Sequence, residues 1–219
     1  MFYETDTETS GLPYNPFKAS CVPRPIGWIS TVDTDGVPNL APYSQFQNVT
    51  WDPPTISVAV NCQPDGRPKD TAANAMATGQ LGWSMATERH FDEMVMTNHD
   101  LPPAVDEFEY ANLESTPSRL IAPPLVAGAP VKFECELQQS IYLPGRTPES
   151  STHLLIARVI GIHIDEDFLT DGMLDIAKMR PLARLGYLDF TVVEKTVQPP
   201  TASLRSPDSI AFMAEQKAG

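Results

Sequence analysis

The sequence predicts a mainly β protein: a closed antiparallel barrel with peripheral helices. Three observations carry this. Short runs alternating apolar and polar residues recur along the chain. They follow one another in hairpin-like succession, with no strand–helix–strand rhythm. The 22 prolines, about twice the average share, favour strand ends and ordered turns over long helices.

Taken in order, residues 1–20 mix polar and aromatic side chains and are expected to lie as an arm over the body. Pro25-Ile26-Gly27-Trp28-Ile29-Ser30-Thr31-Val32, then the turn signal Asp33-Thr34-Asp35-Gly36, then residues 37–41 read as a hairpin. Residues 41–48 read as an inter-strand loop. Ile56, Val58 and Val60 alternate with Ser57, Ala59 and Asn61, giving a strand over 55–61 with one face in the core. Pro53-Pro54 blocks a helix just before it.

Residues 69–79 change character. Ala72, Ala73, Ala75, Met76 and Ala77 favour a helix, with Asp70 as its cap and Gly79 at its end. Residues 81–85 read as a strand and 87–98 as a second helix with Phe91, Met94 and Val95 on one face. The Pro-rich, acidic stretch 100–129 is expected to be an ordered excursion. Val131, Phe133, Cys135 and Leu137 alternate with Lys132, Glu134, Glu136 and Gln138, a half-exposed strand. Residues 154–164 form a long strand, apolar on both faces, and Ser206-Pro207-Asp208 starts a C-terminal helix over 206–219. The tally is about six strands and two or three helices. No linker interrupts the chain, so residues 1–219 are expected to form a single domain.

Composition narrows the function. Fifteen basic against 28 acidic residues give a net charge of −13, which argues against nucleic acid as a partner, because binding phosphates takes clustered Lys and Arg. No apolar run approaches the ~20 residues of a membrane helix, and the acidic N-terminus has no secretory pattern. Three cysteines, Cys21, Cys62 and Cys135, cannot all pair and form no C-x-x-C, which suits thiols in a reducing cytoplasm. His90, His99 and His163 lack a spaced set of co-ligands, so no metal is expected.

The segment from Arg24 to Asn74 is more specific. Pro23-Arg24-Pro25-Ile26-Gly27-Trp28-Ile29-Ser30-Thr31, Asp35-Gly36, Asn39-Leu40-Ala41-Pro42-Tyr43-Ser44, Phe46, Asp52-Pro53-Pro54 and Lys69-Asp70-Thr71 closely resemble the flavin reductase-like family. Asp106-Glu107-Phe108-Glu109, Pro123, Glu134-Cys135-Glu136-Leu137 and His153-Leu154 extend the resemblance, which covers residues 23–190. It implies an FMN-binding split β-barrel of antiparallel, Greek-key type, working as a cytoplasmic homodimer with each flavin at the dimer interface.

The residues are compatible with that implication. FMN carries a phosphate, a ribityl chain that needs hydrogen bonds and a flat ring that needs apolar cover. Arg67 and Lys69 precede a helix N-terminus with Asp70 and Thr71 in its first turn, an anion site or simply a helix cap with a solvated lysine. Ser30, Thr31, Ala41, Pro42, Tyr43, Ser44, Phe46, Gln47 and Asn48 combine small polar groups with aromatics suited to the pyrimidine edge of the ring. Asn61 either reaches ribityl or phosphate oxygens or caps its own turn. His153 matches a family histidine close to the flavin, where an imidazole supplies a proton or positions a nicotinamide; its other reading is a structural histidine. Two positions depart from the family pattern. Arg184-Leu185-Gly186-Tyr187-Leu188 lacks a second glycine, and Ala157 replaces one, both on the substrate side of the flavin.

No G-x-G-x-x-G follows a strand, so NADH or NADPH would dock transiently rather than in a Rossmann site. The expected function is an FMN-binding oxidoreductase. It would move electrons from reduced nicotinamide through FMN to a flavin, oxygen, a flavin-dependent monooxygenase or another protein acceptor. The alternative is an FMN-bearing electron carrier reduced by a redox partner.

Overall fold

The computed structural model describes residues 1–6, 10–102 and 105–197. Seven antiparallel strands form its main sheet: β1 (Gly27–Val32), β2 (Pro38–Tyr43), β3 (Phe46–Trp51), β4 (Pro54–Asn61), β5 (Gln80–Ser84), β6 (Val131–Leu143) and β7 (Thr152–Ile164). Their order is β2-β1-β5-β6-β7-β4-β3. The two edge strands, β2 and β3, are consecutive in the chain, with only Ser44 and Gln45 between them. An edge-to-edge connection that short requires the sheet to curl until its edges meet.

Side-chain contacts show the closure. Phe46 in β3 stacks on Trp83 in β5, with ring centroids 5.6 Å apart and planes 3° from parallel. In a flat sheet these strands, four spacings apart, would be separated by roughly 19 Å. Across the seam, a Cβ on Gly27 of β1 would stand 2.7 Å from the Phe46 ring, so the backbone of β1 passes where only glycine fits. The Gln45 carbonyl accepts the Ala59 N–H at 2.9 Å beside the same seam. Ile29, Val58, Leu81, Cys135 and Leu155 fill the interior with Phe46 and Trp83.

A second core lies outside the barrel wall. Strand β1 is buried at every position. Trp28 and Leu40 pack under Met94, Phe108 and Val126, and Trp28 Nε1 donates to Thr97 Oγ1 at 3.0 Å. These contacts hold helix α2 (Phe91–Met96) and the four-residue helix α3 (Glu107–Tyr110) against the barrel. Helix α1 (Asp70–Thr78) buries Ala72 and Ala75 in the barrel core, and ends at Gly79 in a left-handed conformation, φ 73°.

Several expectations need correction. The predicted loop 41–48 is mostly strand: Pro42 lies in β2, an edge strand, where a missing N–H is tolerated. Lys69, not Asp70, occupies the helix N-cap, and Asp70 lies in the first turn without a side-chain cap bond. The second helix is shorter than 87–98: a 3₁₀ turn, Glu88–His90, precedes α2, and of the expected apolar face only Met94 is buried. Glu134, expected on the exposed face of its strand, is fully buried. Strands β8 (Leu182–Gly186) and β9 (Asp189–Val192) escaped the sequence reading and form a small sheet with Arg24–Pro25. The arm contains a short helix, Phe17–Ser20, and Asp6 pairs with Arg146 at 2.7 Å. The expected C-terminal helix lies outside the described residues.

Glu134 explains how the 100–129 excursion is held. One carboxylate oxygen accepts the Arg119 N–H at 2.8 Å, and the other accepts those of Leu120 at 2.6 Å and Ile121 at 3.2 Å. His163 Nε2 stands 2.5 Å from the first oxygen. Burial pushes the Glu134 pKa up, but the Arg119 and Leu120 amides and His163 outweigh it and hold the carboxyl below its ordinary range.

Two outcomes follow. Gly27→Ala forces Phe46 or β1 to shift and lowers unfolding stability by about 1–3 kcal/mol, read by urea denaturation. Glu134→Gln removes a buried charge-assisted set and costs about 2–4 kcal/mol near neutral pH. A depressed folded pKa gives stability that is present above the unfolded value and lost as pH falls through the folded one. Wild type therefore loses stability below about pH 4.5 more steeply than the Gln variant, a difference that paired denaturation curves measure.

Candidate functional site

The barrel seam fixes the site. Where β2 runs towards β3, Pro42, Tyr43 and Ser44 line a groove of about 810 Å³ together with Arg24, Asn61, Lys69 and Asn98. Ile26, Met94, Val95 and Leu188 supply apolar wall, and Tyr14, Tyr187 and Phe190 supply aromatic wall. A smaller cleft of about 70 Å³ shares Pro42, Tyr43, Lys69 and Asn98 with the groove. Asp70, Asp100 and Glu107 also line this cleft.

Those carboxyl groups shape the surroundings of Lys69. The ammonium is paired with Asp100 at 2.9 Å, with about a third of the side chain exposed. The cleft side is acidic, so an incoming anion is favoured from the groove side. Asp70 is partly buried, and that burial pushes its pKa up against the pull of Arg67 and Lys69.

Beneath the groove runs a buried polar chain. Glu107 accepts the Leu40 N–H at 2.9 Å and the Asn39 side-chain amide at 3.0 Å. Asn39 Oδ1 accepts from Thr71 Oγ1 at 2.8 Å and from Thr31 Oγ1 at 3.3 Å. Thr71 Oγ1 in turn accepts the Tyr43 hydroxyl at 2.9 Å, and Asn74 donates to Thr31 at 3.3 Å. Burial raises the pKa of Glu107 above the ordinary carboxylate range, and its amide donors oppose the shift. Burial likewise pushes the Tyr43 phenol far up, against the pull of its bond to Thr71.

The expected site residues therefore divide. Pro42, Tyr43, Ser44, Asn61 and Lys69 line the groove, and Ala41, Asp70 and Thr71 line the adjoining cleft. Thr31 and Thr71 spend their hydroxyls in the buried chain, and Ser30 is buried with its hydroxyl unpartnered. Phe46 belongs to the barrel core. Gln47 and Asn48 lie on exposed β3 positions, and Arg67 turns to Asp65 at 2.6 Å. Asn61 Nδ2 donates to Thr152 Oγ1 at 3.3 Å. His153 lies in β7 outside the groove lining, its Nδ1 3.3 Å from Ser140 Oγ and its ring 5.4 Å from that of Tyr142. Sequence reasoning missed Arg24, Asn98, Arg184 and Tyr187 as groove residues. Arg24 carried a signal inside the first motif, and Arg184 and Tyr187 carried one in the stretch placed on the substrate side of the flavin, whereas Asn98 carried none.

Comparison with known proteins agrees with this architecture. A family model described as a flavin reductase like domain matches residues 19–182. An uncharacterized protein of Halalkalibacterium halodurans is 33% identical over 172 residues, 78% of this chain and 82% of the relative. One of Aquifex aeolicus is 34% identical, covering 84% and 89%. Among solved structures, nitrilotriacetate monooxygenase component B of Bacillus cereus superposes with a TM-score of 0.84 at 30% identity, covering 91% of this chain and 98% of that one. The 2-nitrobenzoate 2-nitroreductase of Pseudomonas fluorescens gives 0.78 at 25% identity, covering 92% and 97%.

The polar chain makes one outcome measurable. Because burial keeps the Tyr43 phenol protonated, Tyr43 should add nothing to tyrosinate absorbance between neutrality and about pH 11. Tyr43→Phe should leave that amplitude unchanged, whereas a clear drop would mean that Tyr43 titrates like an exposed phenol.

Proposed function

Because the chain belongs to the flavin reductase-like family, we propose that it is an FMN-binding oxidoreductase, taking electrons from NADH or NADPH and passing them to a flavin, oxygen or a protein acceptor. The observation that carries the reading is the 810 Å³ groove, with Lys69 and the α1 N-terminus on one side and apolar and aromatic walls elsewhere. A mononucleotide makes the same demands. Lys69, at the N-cap of α1, suits its phosphate. Asn61 and Asn98 suit the sugar-chain hydroxyls, and Ile26, Met94 and Leu188 offer apolar cover to a flat ring. When bound, a flavin supplies hydride acceptance and onward electron transfer. The chain's own residues bind, orient and exclude water.

Two further parts of the reading go together. His153 lies outside the groove lining of its own chain, so a role beside a flavin requires it to come from a second subunit. A homodimer would supply it. The 30% identity to a monooxygenase component B supports a flavin-dependent monooxygenase as the acceptor. With no Rossmann motif in the sequence, a nicotinamide would dock transiently over the flavin and leave after transfer.

Absorption spectra of the purified protein before and after anaerobic NADH or NADPH test the reading. A flavin spectrum bleached by either nucleotide is expected. A flavin that stays oxidised would favour an electron carrier reduced by a redox partner. Lys69→Ala should weaken FMN by about tenfold to a hundredfold while riboflavin, lacking the phosphate, hardly changes. Equal losses for both flavins would remove Lys69 from the phosphate site.

A further inference from the structure

The groove carries more positive charge than one phosphate requires. Besides Lys69, its lining includes Lys18, Arg24 and Arg184, in a chain whose 28 acidic residues outnumber its 15 basic ones. Lys69 also lines the acidic cleft, and the other three do not. Among the described residues none of the three has a carboxylate within ion-pair distance.

Both guanidinium groups are held in place without being neutralised. Arg24 donates to the carbonyls of Lys18, Cys21 and Leu185 and, at 3.3 and 3.4 Å, to Ser44 Oγ. Arg184 packs over the Phe190 ring, 4.4 Å from its centroid, and donates through one nitrogen to the Tyr187 carbonyl. Its remaining N–H groups have no protein acceptor among the described residues. Burial and then the nearby Arg24 cation lower the Arg184 pKa, against the pull of Asp189, whose carboxylate is not within ion-pair distance. Carbonyl and ring contacts fix geometry and leave the charge available, which is how an anion site is prepared.

We propose that Arg184, with Arg24 and Lys18, forms a second anion subsite in this groove, distinct from Lys69, which takes the pyrophosphate of the dinucleotide electron donor. The assignment rests on the flavin reading above, in which the first phosphate occupies the Lys69 side. A hydride donor that docks over a bound flavin has no dedicated fold here, and a pyrophosphate handle on the groove rim supplies its orientation. Arg24 is also a structural clamp, so Arg184 and Lys18 are the positions to change.

The test assays Arg184→Gln and Lys18→Gln in the FMN-loaded protein with NADH, NADPH and reduced benzylnicotinamide, a hydride donor without phosphate. For Arg184→Gln the dinucleotide KM should rise about tenfold with kcat within about twofold, and Lys18→Gln should act in the same direction. Turnover with benzylnicotinamide and affinity for FMN should stay within about twofold. A KM increase shared by benzylnicotinamide, an equal loss of FMN affinity, a rise in the KM for a free flavin acceptor instead, or an unchanged dinucleotide KM each overturns the proposal. A titration of inorganic pyrophosphate into Lys69→Ala protein needs no flavin. Binding weakened about tenfold by adding Arg184→Gln supports the subsite even if the flavin reading fails, and binding indifferent to Arg184 refutes it.

Discussion

The approach of Gly27 to Phe46 is the contact on which the rest of the molecule depends. It joins the first strand of the sheet to the strand that ends it, and turns seven strands into a barrel. The stacking of Phe46 on Trp83 follows from that closure, and so does the placement of Ser44 and Gln45 as the only residues bridging the two edges. Because the seam is tight, the end of β2 has no freedom. Pro42, Tyr43 and Ser44 are presented at the groove by the barrel itself rather than by a mobile loop.

Two buried carboxylates extend this order outward. Glu134 gathers three successive amides of the excursion, and Glu107 gathers Leu40 N–H and the Asn39 amide. Each ties a segment remote in sequence to a strand by charge-assisted bonds inside the protein, where leaving either partner alone is costly. Glu134 is held ionised by its donors, whereas burial dominates at Glu107 and raises its pKa. The difference follows from position. Glu134 has the Arg119 and Leu120 amides and His163 to offset its burial, whereas the Leu40 and Asn39 donors of Glu107 do not offset its own, and Asp70 adds to the rise.

Local pattern made part of this legible. The Asp-Gly turn announced the β1–β2 hairpin, and alternation announced β4 and the start of β6. The alanine run ended by Gly79 announced α1. Strand β3 was missed because Gln47, Asn48 and Thr50 face solvent and no apolar stripe marks them; only Phe46 points inward. Glu134 was read onto the wrong face because alternation reports the pleat and not what later covers it. The site split along the same line. Lys69 and Tyr43 were visible from contiguous motifs. Arg184 reaches the groove only through the pairing of β8 with Arg24–Pro25, a partnership more than a hundred and fifty residues apart in the chain. No local signal encodes that distance.

The chain that ends at Tyr43 also has a direction. Glu107 has only lone pairs to offer when ionised, so the Asn39 amide must turn its NH₂ towards it and its carbonyl oxygen towards Thr71 and Thr31. Both hydroxyl protons then point to Asn39, and the proton of Tyr43 must point to Thr71. What Tyr43 has left for the groove is oxygen lone pairs alone. A carboxylate buried three bonds away thus sets the polarity of a surface contact: at Tyr43 the groove welcomes an N–H or O–H and turns away a bare carbonyl. That preference is set from below, by a carboxylate that lies outside the groove lining.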